Sequence, residues 1–397
     1  MLKTHKTSRP DLSQIINLHD LEPIAKKVLT PKAYAYYSSA ADQEFCKNRN
    51  ISDWSLIHLR PRILRNVKSL INLQIKILGF NSNLPFFIAP VALANLIHKD
   101  GEKALVKVAA KIGVIYIMSS NASCTPEEIS SIIEPNQILF YQLYVNKDRN
   151  ETVKLLKRVE RLRFKAIVLT VDAPVPGKRT RDERFAVNDE SNLQSNSVAK
   201  NLSGYQDESL NWNDLSWLKN QTNLPIILKG IQTPEDFIYA HSIGFKNLYI
   251  SNHGGRQIDD VSSTIEILLE IKKTCIKAFN ECEVLLDGGI RDGSAVLKAL
   301  ALGVKAVGLG RAPMYGLMWG QEGVEKVLEI VKDELSINLR LLGETSVNGL
   351  KAEHVRIIFF FFFLILSNHN TELYQVEVLM MVCLLYVGQH SSIGEVV

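Results

Sequence analysis

Eight short β-rich runs alternate with helix-like segments, nearly every run ends in a polar residue, and the last two open into glycine-rich turns. Together these predict an α/β fold, a (β/α)8 TIM barrel with an N-terminal helical segment. The 397 residues exceed one average domain but suit a single barrel with insertions. In order, the runs are Pro85–Pro90, Val114–Ser119, Ile138–Tyr144, Ala166–Asp172, Pro225–Gly230, Asn247–Asn252, Glu283–Gly289 and Ala306–Arg311. Each is a brief apolar stretch, as a buried strand requires.

Helical patterns fall between them, at Lys103–Lys111, Glu151–Arg161, Pro234–Ser242 and Gly293–Ala301. Thr125 before Pro126, and Thr233 before Pro234, with acidic residues following, are helix N-terminal signals. The eighth crossover is expected over Gln321–Asp333, with a separate short helix at Ile337–Leu342. Ser119, Gln142, Tyr144, Thr170, Asp172, Lys229, His253, Asp287 and Arg311 all fall at strand C-terminal ends, the active-site face of this fold.

A formal net charge of +4 without a basic block predicts neither nucleic acid nor an anionic membrane as the main partner. The five cysteines, Cys46, Cys124, Cys275, Cys282 and Cys383, form no C-x-x-C pair. Buried free thiols in a reducing compartment are expected, and no metal site. No secretory signal is visible, so the expected location is cytosolic or mitochondrial.

The most informative stretch is Ser251–Arg256, Ser-Asn-His-Gly-Gly-Arg, at the end of the sixth run. His253 is a candidate proton acceptor and Arg256 a candidate carboxylate clamp, while Gly254 and Gly255 allow a sharp turn and close approach to a flat ligand. The plain alternative is a polar turn with a capping histidine. Asp287, Gly288, Gly289, Arg291 and Gly293 form a second motif. Glycines there aim backbone N–H groups at an anion near a helix N-terminus. Gly308, Gly310 and Arg311 repeat the pattern at the eighth run. Lys229 ends an apolar run and calls for an anionic partner, either a reduced flavin or an internal carboxylate.

Two segments break the rhythm. Residues 188–213 follow the fourth strand and are rich in Ser, Asn, Asp and Gln, reading either as a mobile loop over the mouth or as a disordered insertion. From Ile357 the chain turns strongly apolar, with five phenylalanines at Phe359–Phe363. Residues 1–356 are therefore expected to form the barrel. Residues 357–397 read either as an aberrant tail from a retained intron or frameshift near Arg356, or as a genuine hydrophobic tail that packs on a partner.

These motifs resemble the FMN-dependent L-2-hydroxy-acid oxidoreductases, a family that includes glycolate oxidase, lactate oxidase, mandelate dehydrogenase and the cytochrome-linked L-lactate dehydrogenase. The resemblance runs from about Ile15 to about Val355. It rests on Ala35–Gln43, Arg60–Arg62, Gln142–Tyr144, Thr170–Asp172, Ser251–Arg256 and Asp287–Arg291, and the lactate dehydrogenase branch looks closest.

The resemblance implies His253 as base, Asp172 as its orienting carboxylate, Arg256 and Tyr36 as carboxylate clamp, Tyr144 on the substrate hydroxyl and Arg179 as a second, mobile arginine. It implies FMN held by Pro90, Val91, Ala92, Ser119, Gln142, Thr170, Lys229, Ser251, Asp287, Gly288, Gly289, Arg291, Gly310 and Arg311. It also implies a homotetramer. There are three departures: Val91 stands where the family often has Thr, Asn121 stands where relatives carry Trp or Leu against the substrate side chain, and the family's C-terminal segment is missing after about Val355. No His-Pro-Gly-Gly haem module precedes the barrel; either it is naturally absent or the sequence starts late.

The expected function is oxidation of a short L-2-hydroxy acid, foremost L-lactate, to the 2-oxo acid, with electrons leaving FMN for O2, cytochrome c or a quinone. Another FMN-linked barrel oxidoreductase or isomerase, or a catalytically inactive barrel, are the alternatives.

Overall fold

Each of the eight apolar runs becomes a strand in the computed structural model, which describes residues 9–188, 197–202 and 204–358. The strands are Phe86–Ile88, Tyr116–Met118, Leu139–Leu143, Ala166–Thr170, Ile226–Ile231, Asn247–Ile250, Glu283–Leu286 and Ala306–Leu309. Neighbours pair in parallel, and the eighth closes on the first through Val307 opposite Phe86. Most strands stop one or more residues before the polar residues that the sequence placed at their ends. Ser119, Tyr144, Asp172, His253 and Asp287 thus stand past the strand ends at the mouth, whereas Gln142, Thr170 and Lys229 remain in the ladder. Residues 189–196 and Ser203 of the insertion, Cys383 and the apolar tail from Phe359 lie outside the described residues.

The barrel interior explains one glycine differently from its sequence reading. Gly308 lies within the eighth strand, and a Cβ there would sit 2.5 Å from the Tyr249 hydroxyl and 2.9 Å from the Phe87 ring. Tyr249 and Phe87 meet edge to face inside the barrel, with centroids 5.6 Å apart. Gly308 makes room for them, and the turn itself begins at Gly310.

The outer helices follow the expected pattern, with one correction. Thr125 and Thr233 cap their helices as expected, and Thr125 forms a full capping box with Glu128. The eighth crossover, however, is one helix, Gly320–Leu341, rather than two. Val324, Val327, Leu328, Val331, Leu335 and Leu339 form a continuous buried stripe along it, so Ser336 does not break it. Three N-terminal helices, Leu21–Val28, Pro31–Ser38 and Phe45–Ser52, precede the barrel. The last two reach its mouth.

The opposite end is closed by a hairpin that the sequence reading did not find. Ile75–Ile77 pairs with Phe80–Ser82 across Leu78 and Gly79, both with positive φ, as a two-residue hairpin turn demands. Ile77 is fully buried, and Phe80 packs edge-on against Phe140. A second small sheet pairs Ile57–Leu59 with Val355–Ile357, so Ile357, where the tail was expected to begin, stands opposite Ile57. Among the described residues no helix is long and apolar enough to cross a membrane, and no cluster fit for a metal ion occurs. Cys46, Cys124, Cys275 and Cys282 are free thiols.

Candidate active site

The turn after the sixth strand is strained and buttressed. His253, Gly254 and Gly255 have φ of 57°, 65° and 75°. For a histidine this left-handed conformation is disfavoured and persists only when its surroundings enforce it. They do: the His253 N–H donates to Ser251 Oγ at 3.1 Å, and the Ala41 N–H to the Gly255 carbonyl at 2.8 Å. A Cβ on Gly255 would lie 2.7 Å from the Lys47 nitrogen, so the turn is pressed onto the helix Phe45–Ser52.

His253 Nδ1 donates to Asp172 Oδ1 at 2.8 Å, because a carboxylate can only accept. That fixes Nε2 as the acceptor, and the Tyr144 hydroxyl lies 3.4 Å from it. The Asp172 side chain is fully buried, with Lys229 Nζ 3.8 Å from its second oxygen. The internal carboxylate expected as one partner of Lys229 is therefore present, at ion-pair rather than hydrogen-bond distance. Burial opposes the charge on Asp172, but Lys229 and His253 outweigh it and hold this carboxyl below its ordinary value. Burial likewise pushes His253 below the usual histidine value. Asp172 resists that shift, while Lys229 and Arg179 reinforce it. The imidazole is thus neutral at pH 7, with its Nε2 lone pair beside the Tyr144 hydroxyl at the cavity. Burial, then Asp172, raises the Tyr144 phenol, which keeps its proton.

Beside this pair lies an anion-binding wall. Arg256 donates one N–H to the Tyr37 carbonyl at 2.8 Å. The guanidinium carbons of Arg256 and Arg179 each lie 5.9 Å from the Tyr36 ring centre. The Nε of both arginines is buried without a partner among the described residues. Burial, then Arg179, depresses Arg256. Two buried cations with unspent donors and, among the described residues, no facing carboxylate fit a carboxylate ligand.

The same cavity is lined by Pro90, Val91, Ala92, Ser119, Asn121, Gln142, Thr170, Lys229, Asp287, Gly288, Gly289, Arg291, Gly310 and Arg311. Ser119, Gln142 and Thr170 form a row across three strands. Ser119 Oγ donates to Gln142 Oε1 at 3.3 Å, and Gln142 Nε2 donates to Thr170 Oγ1 at 3.0 Å. Gly288 and Gly289 have positive φ, and a Cβ on Gly310 would meet open space. Arg311 spends its N–H groups on the carbonyls of Tyr37, Gly254 and Ser39. Burial, then Arg256, pushes it down to about 9. Burial also depresses Arg291. Buried guanidiniums beside glycine turns, with no carboxylate on them among the described residues, fit a phosphate, and the polar row fits the edge of a flat heterocycle.

Ser251 sits one layer deeper, against the Asp287 of the cavity wall. Lys229 donates to Ser251 Oγ at 3.0 Å, Ser251 to Asp287 Oδ1 at 2.7 Å, and Tyr249 to Asp287 Oδ2 at 2.9 Å. Ser251 is fully buried, and both Asp287 oxygens are engaged there.

Several residues of the site were not read from the sequence. Gly230 has φ 114°, and a Cβ on it would lie 2.5 Å from Asp172 Cβ; its absence lets the carboxylate reach His253. Gln257 donates to the Asp172 and Val175 carbonyls and accepts from the Gly177 N–H, tethering the loop that carries Arg179. Asn50 and Asn252 exchange two 2.9 Å hydrogen bonds behind the mouth. Gln257 and Asn252 flank the His253 motif directly, which was the available signal. Nothing in the sequence marks Asn50.

The FMN-dependent dehydrogenase family matches residues 25–357. The L-lactate dehydrogenase (cytochrome) of Wickerhamomyces anomalus is 39% identical over 87% of this chain and 62% of its own length. That of Saccharomyces cerevisiae is 40% identical over 88% and 62%. The chain thus spans 62% of the length of both. Glycolate oxidase 3 of Arabidopsis thaliana is 39% identical over 86% of this chain and 96% of its own. Among solved structures, the flavin-binding domain of baker's yeast flavocytochrome b2 superposes with a TM-score of 0.82 at 40% identity, covering 87% of this chain and 88% of that one. A mandelate oxidase with (S)-4-hydroxymandelic acid gives 0.77 at 32% identity, covering 86% and 98%.

Proposed function

We propose that this chain, which belongs to the FMN-dependent dehydrogenase family, oxidises a short L-2-hydroxy acid, foremost L-lactate, to the 2-oxo acid. The observation that supports it most is the buried Asp172–His253 pair facing a cavity walled by Arg256, Arg179 and Tyr36. FMN, when bound, supplies the two-electron acceptor. Ser119, Gln142 and Thr170 would meet its ring edge, Gly288, Gly289, Arg291, Gly310 and Arg311 its phosphate, and Lys229 would place a positive charge beside it.

The chain's own groups then divide the work. Arg256 and Tyr36 hold the substrate carboxylate, and Arg179 adds a second cation. Tyr144 hydrogen-bonds the substrate hydroxyl. His253 Nε2 accepts one proton, and the Asp172 carboxylate stabilises the imidazolium that results. Loss of two hydrogens with their electrons converts the hydroxyl carbon to a carbonyl. The electrons leave for O2, cytochrome c or a quinone, and the expected assembly is a homotetramer.

The test is a visible spectrum of purified holoprotein with L-lactate added under nitrogen. Bleaching of the flavin band supports the reading. A yellow protein that does not bleach with L-lactate, glycolate or longer 2-hydroxy acids overturns it. Subsequent addition of O2, cytochrome c or a quinone identifies the acceptor by the return of colour.

A further inference from the structure

We propose that, among 2-hydroxy acids longer than L-lactate, the site selects those carrying a hydrogen-bond acceptor on C3, a 2,3-dihydroxy acid above all, over those carrying an alkyl group there. The inference rests on the activity proposed above and names its substrate class.

It starts from a directional chain of hydrogen bonds at the cavity wall. Gln142 Nε2 donates to Thr170, so Gln142 Oε1 must be the acceptor for the Ser120 N–H at 3.2 Å. Ser120 Oγ lies 3.3 Å from the Tyr205 hydroxyl, which donates to Asn121 Oδ1 at 3.0 Å. Burial raises the Tyr205 phenol and keeps it a donor. The Asn121 backbone is pinned as well. Its N–H donates to Ser119 Oγ at 3.1 Å, and its carbonyl accepts from the Leu93 N–H at 3.2 Å.

With Oδ1 committed to Tyr205, the remaining polar head of Asn121 is Nδ2, which has no hydrogen bond to another described residue. Asn121 shares its cavity with His253, Tyr144 and Arg256, so this donor serves the ligand space. A substrate hydroxyl on C3 accepts from it. A methyl group there would desolvate the donor and give nothing back. Tyr205 is the positioning residue. It comes from the segment after the fourth strand, whose Gln206 lines the same cavity, so polar recognition and coverage of the mouth are joined in adjacent residues.

The experiment compares L-glycerate with L-2-hydroxybutyrate, which differ by hydroxyl against methyl, with L-lactate as reference, in anaerobic flavin reduction by the holoprotein. Glycerate is expected to exceed 2-hydroxybutyrate in kcat/KM by roughly tenfold. Asn121→Leu should reverse the order, and Tyr205→Phe should shrink the ratio mainly through KM. Binding of the products, hydroxypyruvate against 2-oxobutyrate, read by the flavin absorbance shift, should show the same order without turnover. Equal or reversed preference in the wild type overturns this proposal while leaving the activity standing. Loss of all bleaching overturns the activity itself. If Asn121→Leu does not fold, Tyr205→Phe and product binding to the wild type carry the test, and an unshifted ratio in both counts against it.

Discussion

The two ends of the barrel are built from opposite materials. At the mouth, Lys229, Arg256, Arg291, Arg311 and Arg179 line the cavity with the half-buried Asp287, the Asp172 side chain is fully buried beside Lys229, and three residues in a row hold left-handed backbone. At the floor, the hairpin closes the barrel with Ile77, Leu84 and Phe80 on Phe140, and its turn is tied to the seventh strand by the Leu78 N–H donating to Glu283. Uncompensated buried cations and strained turns are destabilising until an anion arrives, whereas apolar closure is stabilising at once. The mouth is built for ligands, and the floor supplies part of the stability that permits it.

The largest effect that would sharpen this contrast is at the mouth. His253→Gln should retain FMN but slow anaerobic flavin reduction by about 10²–10⁴-fold, the usual worth of a general base. Near-normal reduction in stopped flow would remove His253 from its role. At the floor, Ile77→Ala should cost about 2–5 kcal/mol of unfolding free energy. The folded fraction should still reduce its flavin at close to the wild-type rate, and a large kinetic defect there would break the division between the two ends.

A third variant probes the mouth's architecture rather than its chemistry. A Cβ on Gly289 would lie 1.7 Å from the Asn50 carbonyl oxygen, so Gly289→Ala should cost on the order of 2–3 kcal/mol. It should also lower the ratio of flavin to protein absorbance on purification, and full occupancy would show that the turn can shift without harm. The smallest effect is in pH. His253 lies below its ordinary value of 6.5 when folded. The neutral base is therefore present above that depressed value and is lost as pH falls through it. The acid limb of kcat/KM for flavin reduction should have its midpoint below 6.5, and a midpoint above it would mean that Asp172 outweighs burial.

The eight strands were legible because each is buried on both faces and reads as an apolar run, such as Ala166–Thr170 or Ile226–Ile231. The three-residue strands outside the barrel were not. Ile57–Leu59 finds its partner at Val355–Ile357, almost the whole chain away, and neither segment has a pattern of its own. The floor hairpin left one trace, the glycine at Gly79. In the site, the polar strand ends carried the reading because the fold brings all such ends to one rim. Gly230 and Asn50 escaped because their roles are steric or lie behind the visible motifs. Gly230 matters through the space it leaves for Asp172, which no sequence pattern records.

Asn50 has a consequence for how the holoprotein comes together. It lies on a helix outside the barrel, exchanges hydrogen bonds with Asn252 beside His253, accepts from the Thr264 N–H, and its carbonyl backs Gly289. Trp54, just beyond that helix, donates to the Gly288 carbonyl at 3.1 Å. With Gly288 and Gly289 holding the FMN phosphate as proposed, cofactor capture and docking of this N-terminal flank are one thermodynamic event seen from two sides, and each must strengthen the other to the same degree. A chain released without FMN should carry this flank loosely held. Saturation at about 100 times the dissociation constant should then add about 2.7 kcal/mol, felt first as resistance of residues 45–52 to proteolysis.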